Sequence, residues 1–77
     1  MILKILSPES SVSFEDVTSV FLPGTLGQFE VLPSHAPIIS SLEKGGIRWS
    51  DAEGTHTREI STGFATVKDD LITICVE

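Results

Sequence analysis

Turn-forming residues interrupt this chain about every 8–12 residues, and the segments between them alternate as strands do. Ile2–Leu6 is a short apolar run broken by Lys4 and ended by Ser7-Pro8. Ser11–Phe14 alternates, with Val12 and Phe14 on one face. Val17–Leu22 is rich in β-branched and aromatic residues and is expected to stop at Pro23-Gly24. Gln28–Leu32 and Ile38–Leu42 are the next candidates, before Pro33 and Lys44-Gly45-Gly46 respectively. Ile47 and Trp49 alternate with Arg48 and Ser50, which predicts a half-buried strand with Trp49 and Ile47 inward and Arg48 outward. Asp51-Ala52-Glu53-Gly54 reads as a hairpin turn, and polar Thr55–Ile60 as a returning strand that projects into solvent. Phe64–Lys68 and Leu71–Val76 flank Asp69-Asp70, a two-residue turn whose residues tolerate positive φ. A helix over Phe14–Val20 is the competing reading there, with Ser13 and Asp16 loosely imitating a capping box, although Val17, Thr18 and Val20 are poor helix formers. Such spacing predicts an all-β sandwich or barrel.

The 77 residues form one domain, 1–77, because a second core would leave each too few apolar side chains. A chain this small buries only about 60% of its unfolded surface, so it needs a supplement to its core. Cys75 is the only cysteine, which excludes a disulfide within the chain. Its apolar neighbours predict that it packs as a small hydrophobe in a reducing compartment. A partner protein is the supplement left.

The formal charge is −6, and the five basic residues are scattered. Counterion release on nucleic acid, or attraction to anionic lipid, needs clustered Lys and Arg, so neither is expected. No apolar stretch approaches the roughly 18–20 residues that span a bilayer, and no charged n-region or Arg-rich transit segment opens the chain, which predicts a cytoplasmic location. His35, His56 and Cys75 are the residues that invite a metal reading, but neither histidine has a second ligand at short spacing. No Gly-x-Ser-x-Gly elbow, phosphate-cradling glycine loop or paired carboxylates mark a catalytic site. Neither cofactor nor enzymatic activity is expected of the chain itself.

The unusual stretch is Pro23–Pro37, PGTLGQFEVLPSHAP, which mixes prolines and glycines with Leu26, Phe29, Val31 and Leu32. Proline fixes φ and glycine permits unusual φ, so together they specify one backbone path. The stretch is either a packed connection between sheets, with His35 hydrogen-bonded inside and Leu26 and Phe29 capping the core, or a rigid surface offered to a partner.

Pro23-Gly24-x-x-Gly27 followed by Leu32-Pro33-Ser34-His35-Ala36-Pro37 resembles the signature of the N-terminal domain of the F-type ATP synthase epsilon subunit family. Leu3–Glu9, then Leu42, Gly45 and Ile47, then Ser61–Val67 and Leu71–Ile74 fit the family's other blocks in order, so the resemblance covers essentially the whole chain. It implies a flattened two-layer β-sandwich of about ten short strands. It further implies a non-catalytic central-stalk rotor subunit, peripheral at the cytoplasmic face of the bacterial inner membrane, that couples proton translocation to ATP synthesis. By position, Ser7 and His35 match the side facing the gamma subunit, while Gly27, Gln28, Phe29 and Glu30 match the part that meets the c-ring. The alternative is an unrelated small β-sandwich interaction module.

Ser34 stands where the family commonly has Gly, and Thr62 where it often has the first of two; any positive φ there is expected to be strained. Gln28 and Glu30 differ from the small or acidic residues often seen nearby. Family members usually continue into a C-terminal helical hairpin associated with inhibition of hydrolysis and, in some, with ATP binding. The sequence in hand stops at Glu77, so no residue in it inherits those roles.

Overall fold

A computed structural model describes residues 1–77. Every regular element is a strand, nine in all: β1 Ile2–Leu6, β2 Ser11–Phe14, β3 Ser19–Gly24, β4 Gly27–Val31, β5 Ile38–Leu42, β6 Gly45–Asp51, β7 Gly54–Ile60, β8 Gly63–Lys68 and β9 Leu71–Val76. They form one curled sheet that doubles over. One layer runs β2-β1-β9-β8-β5, and the other comprises β4, β3, β6 and β7, with β3 paired on opposite edges to β4 and β6. The layers are stitched where β5 meets β3 through the pair Gly24↔Leu42. All pairings are antiparallel except β1 with β9, which run parallel from Ile2↔Leu71 to Leu6↔Cys75.

Alternation sorts each strand into an inner and an outer set, and the inner sets meet in one cluster of 15 buried residues. Leu3 and Ile5 of β1, Ile72, Ile74 and Val76 of β9, and Ala65 and Val67 of β8 face Val20 and Leu22 of β3, Val31 of β4, and Ile47 and Trp49 of β6. Trp49 is buried as expected, with Ile47 beside it and Arg48 outward over the Phe21 ring, 4.5 Å from its centroid. The Trp49 ring lies between Phe14, at 4.9 Å, and His56, at 5.5 Å.

The two hairpins read from the sequence form where their turn residues place them. Asp69 and Asp70 take φ of 53° and 60°, the paired left-handed values of a type I′ turn. At the other, the Asp51 carboxylate accepts the Glu53 N–H at 2.8 Å and fixes the bend.

The structure corrects two expectations and decides against one alternative. β3 does not stop before Pro23-Gly24 but runs through both. The Pro23 carbonyl accepts the Glu43 N–H at 2.9 Å, so the proline nitrogen points to that same edge and β4 loses no ladder donor. The helical alternative over Phe14–Val20 is absent; Asp16 turns the chain at φ 57°, and Met1 and Val17 exchange backbone hydrogen bonds at 3.0 and 3.1 Å. Cys75 is exposed, because on β9 it alternates outward between buried Ile74 and Val76. The solvent-facing hairpin is correct for β7 in general, but His56 is half-buried on Trp49.

Candidate docking surfaces

The outer face of the β2-β1-β9-β8-β5 layer is the surface that most needs explaining. Its register brings Ile39 of β5, Phe64 of β8 and Cys75 of β9 onto the outer side, with Leu6 and Ile2 of β1 and Leu71 beyond them. Ile39 is 82% exposed and Phe64 62%. Phe64 is outside because of what lies across from it. Gly63, Ala65 and Val67 are the buried residues of β8, and a Cβ at Gly63 would stand 2.5 Å from the Cys75 carbonyl oxygen, so a ring has no room at that inner position. The strand ladders of this face carry Lys4 and Lys68 and no carboxylate, although the chain as a whole has a net charge of −6. Neighbouring apolar groups free of negative charge suit a protein partner better than water does.

Ser7 and His35 are not together. Ser7 follows the end of β1 that pairs with Cys75, whereas His35 precedes the end of β5 that pairs with Val67. Strands β9 and β8 lie between β1 and β5, three steps of about 4.8 Å each. The two residues therefore mark diagonally opposite corners of this one face. Ser7 is held by its loop: its N–H donates to the Ser10 carbonyl at 2.8 Å, and its Oγ lies 3.2 Å from Ser10 Oγ. His35 is half-buried; its N–H donates to the Leu32 carbonyl at 3.2 Å, and Nδ1 donates to the Ala36 carbonyl at 2.7 Å. A carbonyl can only accept, so the proton sits on Nδ1 and leaves Nε2 as the ring's other polar atom.

Gly27, Gln28, Phe29 and Glu30 form most of one strand, β4, and the tip of its hairpin with β3. Gly27 turns the chain at φ 128°, and Leu26 beside it is fully exposed. Gln28 and Glu30 are paired with Pro23 and Phe21 on the outer side of the second layer, away from the Ile39–Phe64 face. Phe29 opposes buried Leu22 and turns inward, half-buried against the core. The stretch thus combines both sequence readings: Phe29 caps the sandwich while Leu26 stands clear of it. A groove of about 510 Å³ runs between this hairpin tip and Ile38–Ser41 of β5.

His35, His56 and Cys75 occupy the loop before β5, strand β7 and strand β9, and no group of three His, Cys, Asp or Glu side chains is arranged to hold a metal ion. His56 has a structural partner instead: its Nε2 lies 3.1 Å from Asp51 Oδ1. That hydrogen bond, helped by the Glu53 N–H, holds the Asp51 carboxyl below its ordinary value. Ser34 does take the left-handed conformation, at φ 66°, and Thr62 does not.

The apolar face escaped the sequence reading. Its signal was present in β8, where Gly63, Ala65 and Val67 alternate with Phe64, Thr66 and Lys68. Placing the smaller set inside would have put Phe64 on the surface, but which set is inside depends on how closely β9 approaches.

Along residues 1–77 the chain matches the family described as ATP synthase, Delta/Epsilon chain, beta-sandwich domain. It is 41% identical over 76 residues to the ATP synthase epsilon chain of Desulfosudis oleivorans, covering 97% of this chain and 57% of that one. The ATP synthase epsilon chain of Desulfitobacterium hafniense strain DCB-2 is 40% identical over 75 residues, with the same 97% and 57% coverage. The chain thus spans little more than half the length of these relatives. Among solved structures, a chain from the central stalk and c-ring of Tetrahymena thermophila mitochondrial ATP synthase superposes with a TM-score of 0.84 at 12% identity, covering 99% of this chain and 62% of that one. One from the Euglena gracilis mitochondrial ATP synthase OSCP/F1/c-ring assembly gives 0.86 at 22% identity, covering 96% and 48%. At these identities the likeness is one of fold.

Proposed function

The chain belongs to the ATP synthase delta/epsilon chain family, whose β-sandwich domain it matches from end to end, and on that premise we propose that it is a non-catalytic central-stalk part of an F-type ATP synthase. It acts as a single domain, residues 1–77, that joins the gamma subunit to the c-ring and so couples proton translocation to ATP synthesis. It works at the cytoplasmic face of a bacterial inner membrane and is held there through the complex, not by lipid.

The observation that supports this reading is that Gln28 and Glu30 lie on the outer side of one layer, away from the Ile39–Phe64 face of the other. Gamma covers the face whose strands carry no outward carboxylate and whose corners are Ser7 and His35, with Ile39 and Phe64 as its apolar centre. The c-ring meets Gly27, Gln28, Phe29 and Glu30 at the β3–β4 hairpin, where Gln28 and Glu30 offer polar groups to polar ring loops. Torque passes between the faces through a core with no buried polar or charged residue. Such cores are packed to crystal-like density and deform little.

Titration with the gamma subunit tests the first contact. Ile39→Lys and Phe64→Lys should each fold normally, because exposed positions usually tolerate change within about 0.5 kcal/mol. Together they should weaken gamma binding at least about tenfold, as loss of central apolar anchors does. Wild-type affinity in the double variant would remove gamma from this face.

A further inference from the structure

Left-handed backbone at a residue with a side chain costs about 1–3 kcal/mol and persists only when its surroundings impose it. Ser34 is such a residue, at φ 66°, and it immediately precedes His35. The hydrogen bonds made by the Leu32–Pro37 segment are mostly its own: His35 N–H to the Leu32 carbonyl, and His35 Nδ1 to the Ala36 carbonyl. One leaves the segment. The Ser34 N–H donates to Asp70 Oδ1 at 2.6 Å, across 36 residues of sequence. A carboxylate acceptor at that distance is a charge-assisted bond, stronger than a neutral one.

Asp70 is itself well fixed. It sits at φ 60° in the type I′ turn between β8 and β9, and its carbonyl accepts the Ile2 N–H at 2.9 Å. The turn is therefore bound to β1 as well as to its own hairpin. We propose that Asp70 is a positioning residue for the gamma-facing loop, its carboxylate latching the left-handed Ser34 so that His35 is presented in one orientation before any partner arrives. The proposal rests on the reading of His35 as a gamma contact. It explains how this chain carries Ser at a position whose backbone suits Gly, since the latch offsets the strain that the Cβ introduces. An orientation fixed in advance lowers the ordering cost of binding.

Asp70→Gly tests the latch without spoiling the turn, because Asp-Gly is a favoured type I′ pair. Amide hydrogen exchange in the unbound chain should show the Ser34 amide exchanging faster in Asp70→Gly, and the His35 resonances should shift. Asp70→Asn keeps an acceptor oxygen and should stay near wild type in both. Gamma binding should weaken about three- to tenfold in Asp70→Gly, because the His35 side chain must then be ordered on binding. Adding Ser34→Gly should restore it, since glycine takes this φ unaided. Unchanged exchange at Ser34 in Asp70→Gly overturns the latch. Failure of Ser34→Gly to restore affinity overturns positioning, because Asp70 would then act on the partner directly. If wild type itself does not bind gamma, the functional reading falls, and exchange at Ser34 and the His35 resonances still decide the latch.

Discussion

Trp49 is the bulkiest side chain of this small core, and its environment is mixed. Phe14 and His56 cover the ring, yet the indole Nε1 is buried without a hydrogen-bond partner. Trp49→Ala should cost about 3–5 kcal/mol, enough to unfold a domain of this size. Trp49→Phe should cost clearly less, because it keeps much of the ring and removes a donor whose unmet bond is worth about 1–3 kcal/mol. Urea denaturation followed by circular dichroism separates the two, and equal losses would mean the indole nitrogen is not an unmet donor in solution. Beside it, Asp51 gives a pH test with a definite sign. Its folded-state pKa lies below the ordinary 3.8, chiefly through the His56 hydrogen bond and then the Glu53 amide. The folded form thus holds this proton less tightly than the unfolded chain does. The stabilisation is complete above the unfolded value and is lost as pH falls through the lowered folded one. In His56→Ala the Asp51 carboxyl should titrate closer to 3.8, followed by the carboxyl carbon's chemical shift; an unmoved titration would show that His56 is not the cause.

Strands β8 and β9 pair from Gly63↔Val76 to Lys68↔Leu71 in the layer that carries Ile39 and Phe64, and a single glycine sets their spacing. The missing side chain of Gly63 lets the Cys75 carbonyl approach to where a Cβ would be. Gly63→Ala should therefore destabilise by about 1–3 kcal/mol, the usual range for overpacking, visible as a lower urea midpoint. A neutral result would show that β9 can retreat, and with it the neighbouring Phe64. The elements themselves were largely legible. Alternation placed β1, β2, β5 and β8 nearly to the residue, and Asp69-Asp70 marked its turn. The end of β3 was not, because Pro23 reads as a breaker unless one knows which edge its nitrogen faces. Cys75 was misread for a related reason: an apolar run in β9 has two sides, and only one of them is core.

A sandwich that is to carry torque between a rotor shaft and a membrane ring, as proposed, must resist shear between its layers. Gln28→Ala with Glu30→Ala leaves the core untouched, and unfolding should shift by no more than about 0.5 kcal/mol. ATP-driven proton pumping by the assembled synthase should nevertheless fall, because these side chains lie on the outer side of β4. Full pumping in the double variant would remove the polar contact with the ring. Full pumping after changing Leu26 as well would remove the hairpin altogether.

Sequence alone determined that this chain is all-β, that Trp49 and Ile47 face inward, and that the Pro23–Pro37 stretch is unusual. These follow from local rules, namely alternation, β-branching and turn residues, which act within a few positions along the chain. Only the tertiary structure decided that Ser7 and His35 bound one face, that Phe29 turns in while Leu26 stands out, and that Asp70 reaches Ser34. Each of these depends on register and on the doubling of the sheet. Both are set by contacts between residues dozens of positions apart, which no local pattern encodes.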